Sequence, residues 1–529
     1  MARIPFRDLG GAGIIKSTDV DVTELPLTAW TDAKNMRLRN NFIERVPGHS
    51  PIYQESLNQQ PQYALFVPGE TIYYWLFPGA TNILRTDGTT MVDITPAGGE
   101  TGRDGAWNGV VFGGYPILNN GVQPPLTFDT VNPTNPMIPL ANWPTGATCK
   151  RFTAYREYLV AAAVTEVGAY NPRMIKWSCA APSGSLPVTW DVTDPTHDAG
   201  EYSLNETSDS IIFMCAMGNI NLIYKQNNIW GMQWVGGLPV FDFYAVFRNR
   251  GILANNCAVE FQTGLHAVFG DNDLYIHDGN TITSLVGGKM RDWIYKALDN
   301  QNFANSFVSL NSPYKEVWFC FPTAGNTLPN LALIWNYELN QIGFRDLPNA
   351  AYIGRGVADP GAVSGVWSAQ TELWSQDVKA WNTLLYNPTQ YRNIMCVPGV
   401  PKGTFLLDFT TQFNGVNPDT YCERIGIGLP TRDGGPPDMS SRKVVTRMWP
   451  RITGTPGSVV NISFGTMEAP MDVPHWLDTL PYVIGQVPAY VDPTVDVNLL
   501  CLRFEGKDGG LWRLSGYELE VAKSGSTGL

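Results

Sequence analysis

The chain is poor in charge. Asp, Glu, Lys and Arg make up 16% of its residues, against about 25% in an ordinary soluble protein. No basic run exists, so the chain lacks the means to grip a duplex by releasing counterions from phosphates. Five histidines stand at 49, 197, 266, 277 and 475, none in H-E-x-x-H or a comparable ligand spacing. Eight cysteines lie singly at 149, 179, 215, 257, 320, 396, 422 and 501 with no C-x-x-C. That excludes a zinc-ribbon or thioredoxin-like motif and leaves reduced core thiols as the reading. The longest apolar runs, such as 158–164, fall far short of the ~18 residues of a membrane span. The N-terminus Met1-Ala2-Arg3-Ile4-Pro5-Phe6 carries no apolar h-region, so no signal peptide is expected. Helical periodicity is scarce. Its best instance is 288–299, with apolar residues at Met290, Trp293, Ile294 and Leu298.

Catalytic and cofactor motifs are also wanting. Gly10-Gly11-Ala12-Gly13 lacks the G-x-G-x-x-G spacing and no strand precedes it, so it does not read as a phosphate-binding loop. Gly361-Ala362-Val363-Ser364-Gly365 and Gly525-Ser526-Thr527-Gly528 miss the spacing of a nucleophile elbow. Asp191, Asp194, His197, Asp198 and Glu201 gather oxygen ligands of the kind a hard cation takes. Their segment is loop-like and lacks the EF-hand spacing, so a solvated loop is the expectation. Asp271, Asp273 and Asp278 read as turn formers, and His266 as a packed strand residue. No catalytic, cofactor-binding or metal-ligating residue, and no cofactor, is expected.

What the chain has instead is turns and aromatics: 52 Gly, 39 Pro and 17 Trp. The stretch 264–288 shows the pattern most clearly. Leu265 to Phe269 is β-prone, Gly270-Asp271-Asn272-Asp273 turns it, and Leu274 to Ile276 returns. His277-Asp278-Gly279-Asn280 is a second tight turn, in which Asp-Gly supplies positive φ cheaply, before Thr281 to Val286. Such a meander cannot bury both faces alone and needs similar neighbours. Comparable units recur around turns at Gly88 and Gly121, 33 residues apart, and at Asn228 and Gly279, 51 apart; the 107 residues between Gly121 and Asn228 leave room for one extra unit centred on 149–198, and spacings of ~35 to 50 are those of a propeller. The expected fold is therefore all-β with few helices: a β-propeller body of about six blades, followed by a C-terminal β-sandwich. The divisions expected are an N-terminal arm and hairpin over 1–50, the propeller over 51–430 with an irregular insertion at 378–420, and the sandwich over 441–529. The Gly- and Pro-rich stretch 431–441 reads as the linker. The tryptophans alternate with aliphatics inside strands and read mostly as packing.

The net charge is −12. From 441 onward the chain holds eight Lys and Arg against nine Asp and Glu, so −11 lies before that point. An acidic body repels phosphates, and low charge suits a surface spent on partners.

Three stretches resemble one family. They are Phe6-Arg7-Asp8-Leu9-Gly10-Gly11-Ala12-Gly13-Ile14-Ile15-Lys16 with Glu24-Leu25-Pro26 and Ala29-Trp30-Thr31-Asp32-Ala33-Lys34-Asn35-Met36-Arg37-Leu38-Arg39; Leu333-Ile334-Trp335-Asn336-Tyr337-Glu338 with Arg345-Asp346-Leu347-Pro348; and Trp512-Arg513-Leu514-Ser515-Gly516-Tyr517-Glu518-Leu519-Glu520-Val521. Together they are similar to the tail nozzle, or tail hub (tail tubular protein B-like), proteins of short-tailed bacteriophages. The resemblance implies a structural, non-enzymatic virion protein assembled in the bacterial cytoplasm. It implies a homo-oligomeric ring, usually a hexamer, below a tail adaptor, with tail fibres, spikes or a needle as neighbours. Double-stranded DNA is retained behind such a ring and leaves through it without sequence-specific binding. The residues that gate the channel are not readable. The alternative is a propeller that binds or cleaves carbohydrate as a receptor-recognition protein. It calls for an axial pocket lined by Trp and paired carboxylates.

Overall fold

The computed structural model describes residues 2–16, 21–53, 60–68, 73–88, 90–96, 107–128, 134–237, 239–358, 391–430, 435, 437–439 and 441–526. Short strands and tight turns dominate, as the composition requires. The 264–288 meander is present as Leu265–Phe269, Leu274–His277 and Ile282–Ser284. Asp278 closes its second turn by accepting from the backbone N–H of Asn280 at 2.8 Å and of Thr281 at 2.6 Å. A strand that the sequence reading did not include, Ala258–Gln262, pairs ahead of it and completes a four-stranded antiparallel blade.

Seven such blades occur among the described residues. Blades 1 to 5 open with Leu65–Val67, Asn108–Phe112, Thr148–Tyr155, Ile211–Met217 and Ala258–Gln262; blade 6 opens with Phe307–Asn311 and blade 7 with Tyr352–Val357. These seven opening strands neighbour one another in sequence order, and the last returns to the first, so they line the axis of a closed β-propeller. The expected count of six is thus corrected to seven. Blade 7 escapes sequence repetition for a physical reason. Its first strand ends at 357 and its second, Tyr391–Val397, begins 34 positions later. Its fourth strand is not downstream at all: His49–Ile52 pairs with Gly403–Leu407. The expected insertion at 378–420 therefore contains two blade strands, Tyr391–Val397 and Gly403–Leu407; its residues 378–390 lie outside the described residues.

Blade 7 closes onto blade 1 through glycine. Gly354 and Gly356 present bare backbone to Trp75. A Cβ at Gly356 would fall 2.3 Å from Phe66 and 2.6 Å from Trp75. The Trp75 indole N–H donates across the seam to the Val357 carbonyl at 2.8 Å.

The sandwich draws on both ends of the chain. One sheet runs Asp32–Lys34, Thr420–Gly428, Leu499–Gly506, Val459–Met467, His475–Val483. The facing sheet holds Trp512–Ser526 between Ala2–Arg7, Ser441–Gly454 and Phe42–Arg45. Phe6 stacks on its cross-strand partner Tyr517, centroids 4.7 Å apart, and Tyr517 reaches across to Phe504 of the other sheet at 5.8 Å, where Trp30 also meets Phe504 edge-on. The strand Thr420–Gly428 precedes the 431–441 stretch yet belongs to the sandwich. That stretch joins the two sheets of one body and does not separate two bodies. Nor is 1–50 an independent arm, since its strands are shared between the propeller and the sandwich.

The hairpin Met36–Arg39 and Phe42–Arg45 turns at Asn40-Asn41, both at positive φ (49° and 63°) as an Asn-Asn turn permits. It bridges the two bodies. Met36 pairs with Phe344 of blade 6, while Ile43 and Glu44 pair with Leu514 and Arg513 of the sandwich. One ten-stranded sheet results. A buried charge network sits under the bridge. Arg345, fully buried, donates to Asp408 at 2.7 Å. Arg37 donates to Glu44 at 2.9 Å and lies 3.5 Å from Glu316. Asn311 and Trp318 donate to Asp408 and Glu316 at 2.8 and 2.9 Å. Burial pushes Glu316 up to about 7 despite the pull of Arg37. Burial opposes the charge of Arg37 too, but Glu316, Asp408 and Glu44 outweigh it and hold its guanidinium above the ordinary range.

Two substitutions check this account. Gly356→Ala forces Trp75 and Phe66 apart and lowers stability by roughly 1–3 kcal/mol. Arg345→Met leaves Asp408 buried without its closest cation and lowers it by about 3–5 kcal/mol. Urea denaturation of each variant measures both, and an unchanged midpoint in either refutes the corresponding contact.

Candidate functional site

All seven opening strands run the same way along the axis, so the segments leading into them meet at one mouth of the propeller. There they enclose a cavity of about 430 Å³. Its wall is built from the approaches to five blades: Gln60, Gln62 and Tyr63 before blade 1, Trp107 before blade 2, Asn255 and Asn256 before blade 5, Ser306 at blade 6 and Tyr352 at blade 7. A second cavity of about 500 Å³ adjoins it, sharing Asn255, Ala304 and Asn305 and adding Arg151 and Asp271.

Cross-axial contacts shape the first cavity. The Asn256 amide donates to the Trp107 carbonyl at 3.3 Å, which ties blade 5 to blade 2. Tyr63 and Tyr352 face each other with ring centroids 4.4 Å apart, and burial pushes the Tyr63 hydroxyl up to about 12. Asn255 is 6% exposed and Ser306 2%, yet neither the Asn255 carboxamide nor the Ser306 hydroxyl has a partner in the protein, and the Gln62 carbonyl oxygen is also unpaired. Buried polar groups are normally hydrogen-bonded; these three atoms are closed off by the surrounding protein and do not open onto the cavity. Its described lining residues include no Asp, Glu, Lys or Arg. The wall offers neutral donors and acceptors beside aromatic rings. Its described lining residues include no His or Cys either.

The residues weighed in the sequence lie elsewhere. Asp191 and Asp194 each cap their own turn, accepting from Thr193 and Thr196. Asp198 accepts from the Tyr158 hydroxyl at 2.6 Å and from the Ala180 N–H at 3.0 Å, and Glu201 pairs with Lys176. Among the described residues, no group of three or more His, Cys, Asp and Glu is placed to hold a metal ion. Asp273 is buried and accepts from the Ser284 hydroxyl at 2.9 Å. The eight cysteines are free, and seven are buried.

His266 is packed as expected, but in a chain with a definite proton order. Its Nε2–H donates to the Ala216 carbonyl at 3.0 Å, so its Nδ1 accepts from the Tyr224 hydroxyl at 2.6 Å. The Tyr224 oxygen then accepts from the His277 Nε2–H at 2.8 Å, and His277 Nδ1 accepts from the Gly279 N–H at 3.3 Å. Every position is used and both rings are neutral. This chain joins blades 4 and 5.

No family model and no curated protein matches the chain. Two solved structures are partly similar. Raptor of Chaetomium thermophilum is 10% identical with a TM-score of 0.35, over 57% of this chain and 26% of that one. The AfRom2 CNH domain is 7% identical with a TM-score of 0.35, over 69% of this chain and 97% of that one. The class of the protein, a seven-bladed β-propeller joined to a β-sandwich, therefore rests on its own strand pairing.

Acid should destabilise the blade 4–blade 5 seam. Burial holds His266 down at about 4 and His277 at about 3, against 6.5 when unfolded. The unfolded chain thus binds more protons below pH 6.5, and the contribution of these rings is lost progressively as pH falls from 6.5 toward 3. His277→Gln keeps a donor for Tyr224 and removes one titration. Its stability should fall less steeply than the wild type between pH 6.5 and 4, and parallel pH curves would show that His277 is not buried as a neutral ring.

Proposed function

We propose that this chain is a structural subunit of a tail nozzle ring in a short-tailed bacteriophage, surrounding the channel through which double-stranded DNA is retained and released. The observation that carries the reading is where the three family-like stretches lie. Phe6-Arg7 pairs with Tyr517-Gly516, Met36 with Phe344, and Arg513-Leu514 with Glu44-Ile43. Separated by hundreds of residues in sequence, parts of all three stretches lie in the one sheet that joins propeller to sandwich, while Asp32–Lys34 of the first pairs in the facing sheet.

The surface supports the same reading. Large apolar side chains are exposed at many places on the described surface, on blades 2, 3, 4 and 7 as well as on the sandwich, and two groups of them lie far apart in the fold. Tyr202, Trp234, Val235 and Tyr244 lie on the outer edges of blades 3 and 4, and Met471, Val473, Leu477 and Val487 lie about the outer strand of the sandwich. A closed ring of identical subunits requires two different faces, each covered by the neighbour. The acidic charge before residue 441 favours passage of phosphates over their retention. The carbohydrate-cleaving alternative finds Trp107 at the axis but no carboxylate among the described lining residues.

Quantitative mass spectrometry of purified virus particles, with the portal protein as internal standard, tests the proposal. The expected result is this chain at about half the portal's copy number, the ratio of a six-fold to a twelve-fold ring. Absence from the particles overturns it.

A further inference from the structure

We infer that the hairpin tip Val167-Gly168 of blade 3 is a docking knob, received by a second copy of this chain in the apolar pocket beside helix Gly288–Ala297. Taking a second copy as the partner rests on the ring reading; the knob and the pocket stand on their own geometry. The knob is a strained turn. Tyr158–Glu166 and Ala169–Trp177 pair up to Glu166 opposite Ala169, so only Val167 and Gly168 connect them. Both lie at positive φ, 51° and 78°, the geometry of a two-residue hairpin turn that Asn-Gly fits best. Asn holds most of the other non-glycine positive-φ positions among the described residues, and Val167 is the one β-branched residue there. Such strain persists where surrounding contacts enforce it, yet nothing in the chain does so here. Val167 is 102% exposed, and a Cβ on Gly168 would meet no atom within 4 Å. Tyr170 close by is half exposed. The tip thus forgoes a better turn residue and presents a β-branched apolar side chain to something outside its own chain.

The pocket is a seat of matching character. It measures about 500 Å³ and lies where the N-terminal segment, the exit of blade 5 and the outer hairpin of blade 6 meet. Ile15, Leu25, Leu285 and Ile342 line it and are each partly exposed, so apolar surface is open to an entering side chain. At ~30 Å³ per water the volume equals roughly sixteen waters, enough for a two-residue tip. Gly287 and Gly288, both exposed, also line it, and the helix begins there without a side-chain cap. The N–H groups of that first turn lack intrahelical acceptors, and the carbonyls of an entering turn supply them. The pocket is therefore complementary to an apolar side chain flanked by turn carbonyls. Knob and seat are different surfaces, one on blade 3 and one beside blades 5 and 6. The contact is heterologous and repeats from copy to copy, as a ring requires.

The test reads association and folding together. Sedimentation velocity of the full chain over a concentration series measures association, and urea denaturation at the lowest concentration measures the fold. Val167→Asn is expected to associate about tenfold or more weakly than the wild type, while its unfolding midpoint rises because Asn suits the turn. Those opposite signs separate a lost contact from a damaged fold. Leu25→Asp, at the pocket wall, is expected to weaken association to a similar degree. Val167→Cys and Leu25→Cys chains are then mixed and treated with a short bismaleimide, and a cross-linked peptide joining positions 167 and 25 of two copies supports the seat. Association retained by either Val167→Asn or Leu25→Asp, a midpoint lowered by Val167→Asn, or absence of the 167–25 link overturns the contact. A wild-type chain that is monomeric throughout overturns it as well. None of these results alters the copy number in virus particles, so the contact and the ring reading fail separately.

Discussion

A circular array of blades leaves an open first edge and an open last edge, and both must be removed for the ring to hold. Here the chain does so by bringing His49–Ile52 onto the outer strand of blade 7. The rest of the architecture follows from that closure. The segment just before it, the hairpin ending at Arg45, is carried to the outer strand of blade 6. The segments before that are carried into the sandwich. Because the C-terminal strand Trp512–Ser526 pairs with Ala2–Arg7, Ser441–Gly454 and Phe42–Arg45, the sandwich is complete only with strands from both ends of the sequence, while the propeller needs His49–Ile52. Contacts of such long sequence separation are slow to form. They also make the two bodies interdependent in stability.

Buried ionisable groups occupy the seams, and they respond to pH in opposite senses. Neutral His266 and His277 favour the folded state above pH 6.5. His49 belongs with them: packed on Phe405 and Phe413 beside the ring-closing strand, it is held down at about 3 by burial and by Arg345. Glu316, raised from 4.5 to about 7, acts the other way. The folded chain holds its proton longer, so its contribution is present at low pH and lost as pH rises through 4.5 to 7. Between about pH 4.5 and 6.5 the two effects partly offset each other. The closure of the propeller and its junction to the sandwich are thereby governed by groups of opposite acid response.

What could be read from the sequence was local. The Asn40-Asn41 hairpin, the Asp278-Gly279 turn, the helix Gly288–Ala297 and the four C-terminal strands each carry their signal within a few residues. Blade 7 does not, because two of its partners lie more than 350 residues apart in sequence. The strand His475–Val483 escaped for another reason. It is an edge strand exposed at alternate positions, with Pro481 inside it, so it looks like a loop. The Pro-rich 431–441 stretch misled because a crossover between two sheets and a linker between two domains share a composition. The axial cavity has no motif at all. Its carboxamides are scattered from Gln60 to Asn305, and only the common direction of the seven opening strands brings them together.

The bridging sheet has a narrow waist. Met36 with Phe344 joins the hairpin to the propeller, and Ile43 and Glu44 with Leu514 and Arg513 join it to the sandwich. Considered as a mechanical part, the hairpin is a coupling plate between two stiff bodies. A torque applied to the sandwich reaches the propeller through these few backbone pairs, through the Arg37 and Arg345 ion pairs beneath them, and through one continuous apolar core that includes Phe6 and Met448 of the sandwich and Phe319 and Phe344 of the propeller. That shared core is close-packed and transmits strain, so the hairpin's few backbone pairs set the register of the two bodies while apolar packing carries the load between them.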